Sequence, residues 1–408
     1  MNVKIRRIAS GTAPFFSGAF AILLAIAIVS SPEASFQASL QGLKLWWNLV
    51  FPALLPFLIL SEMLTASGFA HGLGVMLEPL MRGVFRLPGA GGWTLWMGLT
   101  TGFPGGAHGV LQLHKQGSIT DKEAERLASL VHFASPVTLL IVVGVAFLHS
   151  PAAGYGLLAL HWLSGLLAGI STVLLRGTPK IPGELNPVKN KTTYRKPLYS
   201  RVIQAASEAR MQDGRSFGKL LGDSVGSSVQ SLMIVGGYMI MFAVVISIIQ
   251  GLIPEIPVTL TSGLLEIHLG ARTLSEVSLS TPNATAGRFS IALLSAALGW
   301  SGLCAQLQVL TVLKPAHIRF FPFAAVRLLH GVYAFLLTLL LWRPLMSIHA
   351  ATLPALASQE TVNADLFRFS TLWNMIPSLL SLQFLLMMSL LLLSAMVALS
   401  AIFQRHSA

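Results

Sequence analysis

The decapeptide TTGFPGGAHG, Thr100–Gly109, places four glycines and a proline inside a zone otherwise apolar enough to cross a bilayer. Glycine and proline disfavour a helix interior by about 1 and about 3 kcal/mol relative to alanine. In lipid, irregular backbone survives only where protein or a watery cavity satisfies its N–H and C=O groups. The stretch therefore predicts a broken helix beside a cavity, not a plain span. Close packing is the competing explanation, since Gly98 and Gly102 form a small-xxx-small pair, as do Gly165 and Gly169.

The rest of the chain places that break in a membrane. Of 408 residues, 54% are hydrophobic and 10% charged, with a mean hydropathy of +0.71; soluble domains carry roughly 25% charged residues. The fold class is thus an all-α polytopic membrane protein, with the lipid bilayer as its first partner. A net charge of +12 would suggest nucleic acid in a soluble protein. Here Lys and Arg have a simpler home in cytoplasmic loops, and no nucleic-acid partner is expected. The single cysteine, Cys304, excludes an intrachain disulfide framework and a cysteine zinc site, and reads as a small buried residue. No phosphate-binding loop, metal-ligand cluster, G-x-S-x-G or HExxH occurs, so neither an enzyme nor a cofactor is expected.

Spans of about 20 apolar residues fall near 14–31, 46–67, 132–149, 153–175, 227–250, 322–342 and 381–403. The first reads as an uncleaved span in preference to a signal peptide, because its apolar run is long for one. Two zones, 71–112 and 257–312, are interrupted by Gly, Pro and charge, and read as pairs of short helices. Residues 176–220 form a basic, solvated cytoplasmic linker, with anionic lipid headgroups as a secondary partner. Lys4, Arg6 and Arg7 put the N-terminus on the same side as that linker. An even number of crossings must separate the two, which favours a re-entrant hairpin in 71–112, although two full spans there have the same parity. The expected units are 1–45, a first repeat 46–175, the linker 176–222, a second repeat 223–345, and a C-terminal segment 346–408 with a final span.

The break has a candidate twin. GFPGGAHGVLQL (Gly102–Leu113) matches GWSGLCAQLQVL (Gly299–Leu310), and MLEPL (Met76–Leu80) matches LLEIH (Leu264–His268). Span 46–67 would run inward and 227–250 outward, so the repeats would have inverted topology with re-entrant broken-helix hairpins. Interrupted helices in matching positions point to a transporter's binding site.

Such breaks expose helix N-termini, whose positive dipole ends suit carboxylates or phosphates. The candidate substrate site is Thr100, Thr101, Gly102, Pro104, Gly105, Gly106 and His108 with Trp300, Ser301, Gly302 and Gln306. Amides at Gly105, Gly106 and Gly302 would hold an anion, Phe103 and Trp300 would stack on a planar ring or plug the hairpin, and Gln308 would line a pore. His108 is more often a packing residue than a proton relay at such a place. Glu62, Glu78 and Glu266 interrupt apolar runs, where a mid-membrane carboxylate costs about 2.5–3.5 kcal/mol. They would bind a coupling cation or proton, or organise the hairpins through Arg82 and Arg272; Glu62 could equally snorkel. A homo-oligomer is compatible with this sequence.

WWNLVFPALLPFLILSEMLTASGF, LEPLMR, LPG and GLTTGFPGGAHG together resemble the gate (nucleoside-recognition) domain of the YlbJ sporulation integral membrane protein family, over about residues 10–345. The resemblance implies a role late in endospore formation, in moving dipicolinate across the outer forespore membrane. It also implies a distant likeness to concentrative nucleoside transporters, with inverted repeats and re-entrant hairpins. The expected function is therefore transport of a small organic anion, dipicolinate. A nucleoside or other metabolite is the alternative within transport, and a non-transporting scaffold of a spore membrane complex the alternative outside it.

Overall fold

The computed structural model describes residues 18–175, 197–280, 284–352 and 384–400. The N-terminal charges, the alternative of a cleaved leader, and the segments 176–196 and 353–383 lie outside them. Among the described residues all regular structure is helical. Five helices are long and apolar enough to cross a membrane: Pro32–Ala66, Pro151–Leu175, Phe217–Leu252, Ala286–Val312 and Phe320–Ser347.

After α1 (Gly18–Ser30), α2 (Pro32–Leu45) runs through a π-turn at Trp46–Val50 into α3 (Phe51–Ala66). Proline opens α2 at a position whose amide has no helical partner anyway, so the expected boundary at residue 45 falls inside one helix. α4 (Phe69–Leu80) is extended by a π-turn, Met81–Phe85. α5 (Gly91–Thr101) and α6 (Phe103–Lys115) then fold back on each other. Glycines allow that contact: a Cβ on Gly106 would lie 3.3 Å from Gly98 Cα, and one on Gly109 would lie 2.6 Å from Thr94 Cγ2. The small-residue pairing and the broken hairpin are thus one feature.

α7 (Asp121–Leu130) starts with a Thr120–Glu123 capping box. Residues 131–135 leave the helix, and the chain resumes as a π-helix over Thr138–Phe147 before α8 (Pro151–Leu175). The expected plain span 132–149 is therefore a discontinuous helix. Pro136 explains it, because the residue before a proline is pushed out of the α region.

α9 (Leu198–Asp213) and α10 (Phe217–Leu252) follow. α9 lies where a solvated linker was expected, yet it packs along α4: a Cβ on Gly72 would sit 3.3 Å from Val202 Cγ1. The expected boundary at 222/223 falls inside α10, and that at 345/346 inside α15 (Phe320–Thr352).

The second half does not form its hairpin at GWSG, where the sequence match placed it. α11 (Val258–Leu265) and α12 (Ile267–Ser280) form the second hairpin, turning at Glu266, with a Cβ on Gly270 only 2.5 Å from Gly263 Cα. GWSG lies instead in the break between α13 (Ala284–Trp300) and α14 (Gly302–Val312), two pieces of one apolar span that do not fold back on each other. Each half thus holds a hairpin followed by a discontinuous helix and a long helix. α16 (Phe384–Ser400) ends the described chain; Ser394 donates to Met76 O at 2.7 Å.

Candidate functional site

The tip of the first hairpin is Gly102, at φ 82 and ψ −169, a region open essentially only to glycine. Its carbonyl accepts from Gly106 N at 3.1 Å. Thr100 and Thr101 turn their hydroxyls back onto the carbonyls of Trp96 (2.9 Å) and Met97 (2.7 Å). Pro104 then starts α6 in the first turn, where helix amides lack intrahelical partners.

Three of the four interruptions meet at His132, in the unwound segment 131–135. Its ring stacks on Phe103 of the first hairpin, 5.2 Å between centroids and 20° between planes. Its Nε2 lies 2.8 Å from Ser301 Oγ at the break after α13. Ser301 donates to Trp300 O at 2.5 Å, so the imidazole is the donor of the pair. Gly302 in turn packs on the second hairpin: a Cβ there would meet Ile267 N and Leu265 O at 3.0 Å and Glu266 Cα at 3.1 Å.

A cavity of about 510 Å³ opens beside this junction, within the range of metabolite sites, ~300–1,000 Å³. α3 contributes Ser61, Glu62 and Thr65; the first hairpin contributes Met97, Thr101, Pro104, Gly105, His108 and Gln112; α9, α10 and the turn between them contribute Gln212, Asp213, Arg215 and Ser231. Beyond Thr101, Pro104 and Ser231 lies a pocket of about 20 Å³, lined also by Gly102, Phe103, Ser135, Thr138 and His268. Both hairpins and the first discontinuous helix thus converge on one point.

Of the expected site residues, Thr101, Gly102, Pro104, Gly105 and His108 line this space. Thr100 does not, and Gly106 is buried against Val131 O, with its amide committed to Gly102 O rather than free for an anion. The second break is filled by its own side chains. Trp300 Nε1 donates to Leu264 O (2.9 Å), Gln306 Nε2 to Trp300 O (2.9 Å) and Gln308 Nε2 to Cys304 Sγ (3.2 Å). Trp300, Ser301, Gly302 and Gln306 therefore hold the junction and do not line the cavity.

The glutamates separate into different tasks. Glu78 pairs with Arg82 at 2.8 Å, as their spacing predicts, and also with Arg201 of α9. Glu62 Oε1 lies 3.9 Å from Arg215 Nη1; Arg215 forks onto Asp213 and reaches Asp223 at 3.3 Å. The Arg215 guanidinium holds the Asp213 carboxyl below the usual carboxylate range. Glu62 and Glu78 thus fasten α9 and the start of α10 to the helices around the cavity. Glu266 is 2% exposed and accepts from Leu269 N at 2.7 Å, beside His268 Nδ1 at 2.9 Å. Arg272 pairs with Glu276 instead (3.0 Å). Glu78 and Glu266 share no environment, so the expected equivalence between them fails.

The Glu78 latch carries a test. Glu78→Gln leaves Arg201 facing a neutral amide, and charged hydrogen bonds contribute about 1.5–3 kcal/mol. Amides of α9 are expected to exchange at least about tenfold faster in hydrogen-exchange mass spectrometry, at ~1.4 kcal/mol per decade. Unchanged exchange over 198–213 would remove the latch.

Ser135, Thr138, Ser231 and His132 belong to the site without standing in any motif, whereas His268 ends the LLEIH motif, which does not mark it as a site residue. Pro136 is the sequence signal for the first two; nothing local marks Ser231.

The sporulation integral membrane protein YlbJ of Bacillus subtilis (strain 168) is 38% identical over 345 residues, a match covering 80% of this chain and 82% of that protein. No family model and no solved structure matches the chain. Identity at that level over that length bears out the resemblance, and the chain belongs to the family of the sporulation integral membrane protein YlbJ.

Proposed function

We propose that this protein is a permease for a small organic anion, dipicolinate, in the outer forespore membrane of sporulating cells. The observation that carries the reading is the cavity of about 510 Å³ ending where two hairpin tips and a discontinuous helix converge. Backbone breaks of this kind are tolerated in a bilayer where they line a cavity, and they recur at the binding sites of transporters built from inverted repeats. The two hairpin-and-broken-helix units are read as such a pair. Gly105, in the first turn of α6, offers the positive end of a helix dipole to a carboxylate. His108 and Gln112 stand on the same wall.

Proteoliposomes containing the chain are expected to take up radiolabelled dipicolinate saturably, with nucleosides as poor competitors. Gly105→Val drives a side chain into Thr101 and is expected to lower uptake at least about tenfold, since overpacking costs about 1–3 kcal/mol. Wild-type liposomes that leak no faster than empty ones would overturn the reading. Competition by nucleosides at equal concentration would reassign the substrate.

A further inference from the structure

Arg327, near the start of α15, is 1% exposed and lines neither the cavity nor the pocket beyond it. Its guanidinium is spent on backbone: Nη1 donates to His132 O at 2.5 Å, and Nη2 donates to Ser129 O. These carbonyls belong to the end of α7 and to the unwound segment after it. A helix C-terminus leaves its last carbonyls without amide partners and carries the negative dipole end, so a cation is the group that suits it.

Two histidines complete the support. His330 Nδ1 lies 3.1 Å from Arg327 Nη1, and since arginine only donates, the imidazole accepts there and donates through Nε2 to His161 O at 3.0 Å. His161 Nε2 accepts from Ala134 N at 2.9 Å. The amide of Ala134 and the carbonyls of Ser129 and His132 are therefore satisfied by side chains from α8 and α15. A continuous helix would pair Ser129 O with Phe133 N and Ala134 N with Leu130 O, whereas His132 O would face Pro136, which has no N–H, and so needs a donor from elsewhere.

We propose that Arg327, seated by His330 and His161, is a positioning residue that holds the segment 131–135, unwound at Pro136, in place against the pocket. The segment's exit, Ser135 and Thr138, lines the pocket. The inference rests on reading that pocket as the substrate's end of the cavity. Its geometric content stands without any substrate. A buried Arg with no such task would merely fill volume, and a methionine of similar length would replace it at little cost to the pocket.

The chain's lone cysteine makes the test direct. In a Cys304→Ala background, Thr138→Cys reports the pocket and Gln112→Cys reports the outer cavity, each by its rate of modification with a small methanethiosulfonate. With Arg327→Met, the carbonyls of Ser129 and His132 lose their donors, the segment slips into the pocket, and Thr138→Cys is expected to react about tenfold more slowly, the scale of a lost charge-assisted hydrogen bond. Gln112→Cys is expected to keep its rate, and Arg327→Lys to restore at least half of the pocket rate. Should Arg327→Met not accumulate, His330→Ala loosens the guanidinium alone and is expected to slow Thr138→Cys about threefold. Pocket labelling that ignores both substitutions overturns the proposal. Intact labelling effects in a protein that moves no dipicolinate would instead reject the permease reading and leave Arg327's role standing.

Discussion

Gly102→Val is expected to abolish uptake and to destabilise the protein by about 3 kcal/mol, combining backbone strain of ~1–3 kcal/mol with overpacking of ~1–3 kcal/mol. The two costs have separate sources at this position. The backbone sits at φ 82, which a β-branched residue does not adopt. Any Cβ there would also lie 2.9 Å from Ser135 N and 3.1 Å from Ser135 Cβ, so the substitution pushes the hairpin tip off the segment it packs on. Gly117 separates the two effects, because it is likewise left-handed at φ 68 but a Cβ there would meet nothing within 4 Å. Gly117→Ala should cost strain alone, about 1 kcal/mol, and leave uptake intact. Gly102→Ala should lower both thermal stability and uptake. Equal behaviour of the two alanine variants would mean that tip contact with Ser135 does not matter.

The contrast between these glycines explains what could be read from sequence. Hydropathy and the glycine-proline cluster suffice to place a break at Thr100–Gly109 in a membrane, because a helix-breaking composition is a local property. The second hairpin tip, LLEIHLGA, contains no proline and no tip glycine. Its turn is made by Glu266 in an extended conformation, φ −139 and ψ 124, a geometry open to any residue. GWSG draws the comparison instead, because its glycines are conspicuous, yet its chain continues as one span. Spacing predicts the Glu78–Arg82 pair, but Arg215, the partner of Glu62, lies on the turn after α9, and Arg201, the second partner of Glu78, is 123 residues away, a distance at which spacing rules say nothing. Arg327 does carry a signal, since a charge inside an apolar span marks a structural or functional task. What it cannot reveal is that the partners are carbonyls at the end of α7, exposed only because that helix ends early.

Glu266 tests most sharply whether the second hairpin is built like the first. A buried carboxylate is costly unless hydrogen-bonded, and this one is held at the N-terminus of α12 by Leu269 N, where both the amide and the helix dipole favour negative charge. It also receives the Nδ1 hydrogen of His268, whose side chain lines the inner pocket. Glu266→Ala leaves Leu269 N and His268 Nδ1 buried without that acceptor, at a cost of about 2–3 kcal/mol. Glu266→Gln keeps a carbonyl for one of the two donors and should lose about half as much. Faster hydrogen exchange is expected across both arms of the hairpin, 258–265 and 267–280, with a raised KM for uptake as His268 becomes free to turn. An exchange effect confined to the first turn of α12 would make Glu266 an ordinary helix cap, and the second hairpin would lose its claim to correspond to the first.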